Sequence, residues 1–401
     1  MYPIHGASPA SASAASDREP QTNQPQGVAV QPSFSLDAPT KTSSCTEPRP
    51  KVSVVVPVFN TGPFLPRCLK SLCAQTLREI EIVVVNDGST DDSGAIIERF
   101  AAQDCRIRSL SFAENRGTFQ ARLAGMQSAT GELLGTVDSD DWVDAPMYET
   151  MYQTASEREA EIVECRLVME KPNGRRRVRW ADRAHAHLSG DSIVKNVLDR
   201  TIWHVAANKI FSRSLWEKSL WFLGLVEDKI VIADDKLLTI PMFYYAQTYT
   251  HLDQRFYHYC YRRSSTTNNR RVEHDLRHIR DTRAVDSHLR RFFDRASDGR
   301  YFDWLRKNED QEVMIILGNI ARYDDPSSRD RLYRGLLDTY DTQALSVLHS
   351  EFERLWFRWS DDSGVRELVS KMRQHLKLAT KEALRLGAQC SSREFLRKWF
   401  T

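Results

Sequence analysis

Between residues 51 and 137 the chain alternates four short apolar runs with three helix-period stretches, and few architectures satisfy that pattern. Val52-Ser53-Val54-Val55-Val56 is β-branched, almost wholly apolar and closed by Pro57, as befits a strand buried on both faces. Asn60-Thr61-Gly62-Pro63 then reads as a turn. Leu65, Cys68, Leu69 and Leu72 follow at helical spacing, which gives the next element one apolar face. A second strand is expected over 80–85, a turn at Asn86-Asp87-Gly88-Ser89, and a helix over about 91–101 with Ser89 and Asp92 as its capping box. A third strand near 107–111, a helix ending near Ala129 and a fourth strand over 132–137, closed by Asp138, complete the series. Strands alternating with helices of this length make βα units, and the usual crossover hand brings their carboxyl ends to one edge of a mostly parallel sheet.

After Asp138 the pattern loosens. A strand is expected over 162–169, a charged loop or hairpin around Pro172-Asn173-Gly174, and a helix over 191–199. A compact segment should run from Trp203 to Trp216, then a helix over 236–245 and one or two strands within 248–261. From about residue 272 the periodicity is helical throughout. Val365, Val369, Met372, Leu376, Ala379, Ala383 and Leu386 alternate spacings of four and three, and residues 363–401 carry nine Lys/Arg against three Asp/Glu. That segment has three readings: packing on its own chain, homodimerisation, or peripheral contact with an anionic membrane surface. Residues 1–50 differ from the rest. They hold eight of the fifteen prolines and, as aromatics, only Tyr2 and Phe34, so they bury too little apolar surface to offset their ordering entropy and read as a disordered tail.

Composition excludes several functions. Lys+Arg number 56 and Asp+Glu 54, a net charge of +2, which lacks the basic excess of a nucleic-acid binder. No stretch approaches eighteen apolar residues, and the start shows no basic-then-apolar leader, so neither a transmembrane helix nor a secretory signal is expected. The seven scattered cysteines contain no CxxC and suggest reduced thiols in a cytoplasmic protein. Neither GxxxxGK[ST] nor GxGxxG occurs, so kinase, ATPase and dinucleotide chemistry lack a phosphate cradle.

Parallel α/β sheets bind ligands at the carboxyl ends of their strands. Pro57 and Phe59 follow the first strand, Asp87 the second, and Asp138-Ser139-Asp140-Asp141 the fourth. In an extended segment Asp138 and Asp140 face the same way. Clustered carboxylates need a cation or donors, and hard oxygen ligands suit Mg²⁺ or Mn²⁺ with water and phosphates completing the shell. A diphosphate ligand is the corresponding expectation, against the alternative of a solvated acidic turn. Asp234-Asp235 reads equally as a helix N-terminus favoured by the macrodipole. The histidines form no metal-ligand pair, and the aromatics Trp203, Trp221, Tyr257, Tyr259 and Tyr261 read as core residues or as sugar-stacking surfaces.

Five stretches carry a resemblance: KVSVVVPVFN (51–60), LPRCLKSLCAQTL (65–77), EIVVVNDGSTDDS (81–93), ENRGTFQARLAG (114–125) and GELLGTVDSDDW (131–142). In order and spacing they resemble the catalytic core of family 2 glycosyltransferases of the GT-A fold. NKIFSRSLW (208–216), ADDKLLTIPMFYYA (233–246) and YHYCYRRSSTT (257–267) resemble the acceptor half of bacterial polysaccharide-type members, with Asp234-Asp235 where Glu-Asp is usual. The resemblance implies an α/β GT-A domain over 51–268, with a donor half (51–145) and an acceptor half (146–268), followed by an all-helical region over 269–401. It implies an inverting, metal-dependent transfer from a nucleoside-diphosphate sugar, UDP-linked by preference, to a glycan or lipid-linked glycan. In that frame Pro57 and Phe59 line the base pocket and Asp87 meets the nucleobase. Asp138, Ser139, Asp141 and Arg122 lie about the donor, and Asp140 with Asp138 holds Mn²⁺ or Mg²⁺. Asp235 is the base, while Asp234, Trp203 and His204 lie toward the acceptor. The competing readings are a nucleotide-sugar binder without catalysis and a sugar nucleotidyltransferase; the latter lacks its Gly-rich loop, since Pro57-Val58-Phe59-Asn60 stands there.

Overall fold

The structure, a computed structural model, describes residues 49–171, 173–179, 187–262, 271–297, 299–320 and 323–340. The tail at 1–48 and the heptad-like segment beyond 340, with its dimer and membrane readings, lie outside the described residues.

The first half follows the alternation of the sequence: β1 (Val52–Val58), α1 (Leu65–Cys73), β2 (Ile80–Asn86), α2 (Ser93–Gln103), β3 (Ile107–Ser111), α3 (Thr118–Ser128) and β4 (Leu133–Thr136). Every residue of β1 is buried, as its almost wholly apolar run requires, Ser53 included. On α1 the buried face is Leu65, Cys68, Leu69 and Leu72, the four residues at helical spacing. The expected capping box on α2 does not form. Instead Asp91 Oδ1 accepts the Ser93 N–H and Oδ2 accepts that of Gly62, while Ser89 Oγ accepts the N–H of Asn60, so these side chains fasten the β1–α1 loop to the β2–α2 loop.

The chain continues through β5 (Trp142–Val143), α4 (Met147–Glu157), β6 (Ile162–Glu164), β7 (Leu167–Glu170), β8 (Arg176–Arg179), β9 (His187–Ser189), α5 (Asp191–Leu198), β10 (Lys209–Ser212), α6 (Arg213–Leu223), α7 (Asp234–Tyr245), β11 (Thr248–His251) and β12 (Tyr257–Cys260). Three helices follow: α8 (Val272–Ser297), α9 (Phe302–Ile320) and α10 (Pro326–Tyr340). Eight strands form one sheet in the order β3-β2-β1-β4-β10-β6-β11-β9; a smaller sheet runs β5-β12-β7-β8. The strands β1 to β4 are parallel throughout, whereas β10 enters antiparallel to both β4 and β6. The single strand expected over 162–169 is broken at Cys165 and Arg166, which lets β6 join the large sheet and β7 the small one.

α8 and α9 share the core of the sheet. Val285, Leu289, Phe292, Phe293 and Leu305 belong to one apolar cluster with Val55, Val85, Phe119, Leu237 and Phe243. Among the described residues no helix is long and apolar enough to cross a membrane. Among the described residues Cys68, Cys73, Cys165 and Cys260 are free thiols.

α3 lies so close to the sheet that a Cβ at Gly125 would stand 2.3 Å from Val55 Cγ1 and 3.1 Å from Val85 Cγ2. Alanine there would gain about 1 kcal/mol of helix propensity, which offsets part of the clash, so valine is the sharper probe. Gly125→Val should cost about 3 kcal/mol, seen as a lower urea midpoint with an unchanged slope.

Candidate functional site

At the carboxyl ends of β1, β2 and β4 opens a cleft of about 790 Å³. Pro57, Phe59, Asp87, Arg122, Asp138, Ser139 and Asp140 line it from the β1–β4 region, and Trp203, His204, Asp234 and Asp235 from the other side. Thus, of the residues expected at a site, Asp141 is the one that does not line the cleft. Phe59 is a large apolar side chain 44% exposed at the rim.

The acidic loop after β4 is a turn rather than extended chain, since the Asp141 N–H donates to Asp138 O at 3.0 Å. The turn presents Asp138 and Asp140 to the cleft by its bend, not by strand alternation. It carries Asp141 inward, where the carboxylate accepts the Tyr257 hydroxyl at 2.7 Å and the Cys260 N–H at 2.8 Å. Tyr257 is wholly buried and belongs to the core, while Tyr259, Tyr261 and Trp203 face the cleft. Trp221 also belongs to the core; its Nε1–H donates to the Tyr245 hydroxyl.

Asp87 is 2% exposed. Its carboxylate accepts the Asn115 amide and the N–H groups of Arg116 and Gly117, at 2.8, 2.6 and 2.9 Å. Burial raises its pKa despite these donors. Its immediate work is to hold the 115–117 loop as a wall of the cleft. Gly117 is required there: its φ is +95°, and a Cβ would stand 2.8 Å from Ile230 O.

At the centre lies Arg122, whose side chain is 3% exposed. Nη2 donates to Asp138 Oδ1 at 2.6 Å, and Nη1 donates to Asp234 Oδ2 and to Asp235 Oδ1, the latter at 2.7 Å. One guanidinium therefore joins the end of β4 to the start of α7. Burial alone would weaken the cation, but the three carboxylates overcome it and hold the pKa above the ordinary arginine value. Three carboxylates around one cation leave an excess of negative charge. Accordingly Asp234 and Asp235 are both raised above the ordinary carboxylate range, first by burial and then by neighbouring carboxylates, against the pull of Arg122. Asp234 is the more enclosed; the Asp235 side chain is 25% exposed, and its Oδ2 has no hydrogen-bond partner among the described residues.

Asp140 is paired with Arg262, a residue that was not singled out from the sequence and that also lies over the Phe64 ring at 4.2 Å. Burial and Asp138 raise the Asp140 pKa even so. Asp138 and Asp140 supply hard oxygen donors in a region of surplus negative charge, and among the described residues no group of three or more His, Cys, Asp or Glu is placed to hold a metal ion by itself. That donor set fits a divalent cation shared with diphosphate oxygens and does not fit a structural zinc. His204 is pushed down to about 3 by burial, with Lys236 and Arg200 adding to it, so it lines the cleft as a neutral imidazole. The cleft extends beyond every sequence-predicted residue: Arg200, His278 and Glu312 also line it, and nothing in a helix-period sequence marked α8 and α9 as one of its walls.

Removing Arg122 would leave three carboxylates without their shared cation. Arg122→Ala should destabilise the protein by about 3–5 kcal/mol near pH 8. The loss should shrink toward pH 5: Asp234 and Asp235, raised by burial, have folded-state pKa values above their unfolded ones, so the native state takes up protons first and regains stability as pH falls. Urea unfolding of the variant at the two pH values measures this.

Residues 53–218 match the family model described as Glycosyl transferase family 2. The uncharacterized glycosyltransferase EpsJ of Bacillus subtilis (strain 168) is 32% identical over 318 residues, covering 76% of this chain and 88% of EpsJ. Glycosyltransferase GlyG of Streptococcus pneumoniae is 46% identical over 112 residues, which are 28% of this chain and 37% of GlyG. The S. aureus TarS 1–349 structure in complex with UDP aligns over 84% of this chain and 92% of its own, with a TM-score of 0.54 at 17% identity, a likeness of fold. The chain belongs to glycosyl transferase family 2: it is a glycosyltransferase with the GT-A fold.

Proposed function

We propose that the chain transfers a sugar from a UDP-linked donor to a glycan hydroxyl with inversion at the anomeric carbon, in the assembly of a surface polysaccharide or related glycoconjugate. The observation that carries this reading is the convergence on one cleft of Asp138 and Asp140 with Asp234 and Asp235, joined through Arg122. The UDP held by the TarS structure is in keeping with that donor class.

The base and ribose would lie between Pro57, Phe59 and the Asn115–Gly117 loop that Asp87 fixes. Asp140, with Asp138 beside it, would hold Mn²⁺ or Mg²⁺. When bound, the cation would neutralise negative charge on the departing diphosphate. Transfer breaks the bond from the anomeric carbon to the diphosphate oxygen and forms one to the acceptor oxygen, whose proton must go to the protein. Asp235 is the acceptor of that proton in this reading. It is more exposed than Asp234, and its raised pKa makes it a stronger base than an ordinary carboxylate. Asp234 would remain as the anchor of Arg122. With the base across the cleft from the diphosphate, one direct displacement inverts the centre and no covalent enzyme intermediate is needed. Trp203, Tyr259 and Tyr261 offer ring faces for a sugar on the acceptor side. Arg122 would set the spacing between the two reacting ends.

A thermal-shift screen of nucleotide sugars, with and without Mn²⁺, reads the donor directly, since a bound ligand stabilises by mass action. Asp140→Ala should abolish the Mn²⁺-dependent part of that stabilisation; full retention would reject the metal assignment. In Asp235→Asn, UDP binding with Mn²⁺ should persist while turnover falls by about 10²–10⁴-fold. In the wild type, turnover should rise with pH through a value above the ordinary carboxylate range, because the base must be ionised. Unchanged turnover in Asp235→Asn would remove Asp235 from the mechanism.

A further inference from the structure

Residues 224–233, which deliver Asp234 and Asp235 to the cleft, contain neither helix nor strand. Ala233 at the junction with α7 has φ +61°, and a left-handed residue of this kind persists only where its surroundings hold it. Backbone polar groups in such a segment need partners from elsewhere. On one side the donor half supplies them: the Phe119 N–H at the start of α3 donates to Ile230 O at 3.2 Å, and the Gln120 side chain donates to Val226 O at 2.8 Å. Those contacts tie down carbonyls but leave amides to be satisfied.

The other side is α8. Asp281 Oδ2 accepts both the Val231 and the Ile232 N–H, at 3.0 and 3.1 Å. Seven residues along the helix, His288 Nε2 meets Asp228 Oδ2 at 2.6 Å; Arg291 donates to His288 Nδ1, so Nε2 carries the proton and donates. Between them Asp286 pairs with Lys236, the residue after Asp235, and both side chains are fully buried. Three side chains of one helix thus grip the segment just before, within and just after the residues that enter the cleft. Among these contacts only the Asp281 pair is made to main-chain amides, so it fixes backbone direction and not merely a side chain.

We propose that α8 is a positioning brace for the catalytic carboxylates, with Asp281 as its principal positioning residue, so that the helical region beyond the family-matched residues is part of the transfer machinery. The proposal rests on the reading of Asp235 as base. Asp281 itself does not line the cleft, so its loss would displace Asp235 without removing any nucleotide contact. A displacement of about 1 Å at a reacting group is costly to rate while leaving ligand binding largely intact.

The test uses the full chain as wild type, Asp281→Ala and Asp281→Asn. Asparagine retains an oxygen able to accept both N–H groups, whereas alanine does not. Three readouts are needed: amide hydrogen exchange over 226–236, UDP affinity in Mn²⁺, and UDP release from UDP-glucose, UDP-galactose or UDP-N-acetylglucosamine, whichever the thermal-shift screen selects. In Asp281→Ala the segment should exchange about tenfold faster or more while β1–β4 keep their protection. Turnover should fall about tenfold or more with UDP affinity within about twofold of wild type. Asp281→Asn should recover most of both losses. Unchanged exchange in Asp281→Ala, an affinity loss that matches the turnover loss, or an asparagine variant as impaired as alanine would each overturn the brace. A loosened segment in a chain whose wild type neither binds UDP nor releases it would instead overturn the functional reading, and with it the catalytic purpose of the brace.

Discussion

Because Arg122 projects from the middle of α3, a helix buried on nearly every side and packed against β1 and β2, its guanidinium has little freedom, and the carboxylates around it take their positions from it. A buried cation is costly to desolvate, so it persists only where several partners compensate it. Here they come from two regions about a hundred residues apart in sequence: Asp138 from the turn after β4, and Asp234 and Asp235 from the start of α7. The same arrangement over-compensates. Burial first, and the surplus negative charge after it, keep the pKa values of Asp234 and Asp235 high, and the same surplus makes the cleft receptive to a further cation. Structural cohesion and chemical reactivity at this site therefore have one electrostatic origin.

How much of this is legible in the sequence depends on the range of each interaction. The three βα units and the fourth strand read clearly because β1 and β2 are largely apolar runs and α1 shows its buried face as Leu65, Cys68, Leu69 and Leu72. Placement at strand ends follows from parallel topology alone, so Pro57, Phe59, Asp87, Asp138 and Asp140 could be brought to one edge without coordinates. The role of Asp141 could not. Nothing local distinguishes it from Asp140; the difference is a turn that faces one residue outward and sends the other to Tyr257 and Cys260, more than a hundred residues away. The capping box at Ser89 failed for a related reason, since its hydroxyl is taken by the backbone of a neighbouring loop rather than by its own helix.

The stretch from β5 to β12 was less legible because its order in space is not its order in sequence. β10 inserts antiparallel between β4 and β6, and the strand expected over 162–169 divides between two sheets. Periodicity reports which face of an element is buried and is silent on what buries it. That silence was most complete for α8, whose apolar residues Val285, Leu289 and Phe292 predict a packed helix but not that α7, and through it the core of the large sheet, is the packing partner.

That packing bears on where the cooperative unit of the enzyme ends. The segment 224–233 has no ladder of hydrogen bonds of its own, and its polar backbone is satisfied by α3 on one side and α8 on the other. A segment held this way cannot be more rigid than the agreement between its two supports. α3 is fixed to the sheet by close contact at Gly125, and α8 is fixed to it through a shared apolar core that includes Phe292, Phe222 and Phe243. The precision of the acidic cluster is therefore inherited from hydrophobic packing well outside the cleft. Substitutions in that packing would reach the site by tilting one support against the other, changing the spacing across Arg122 before they change any residue that touches substrate.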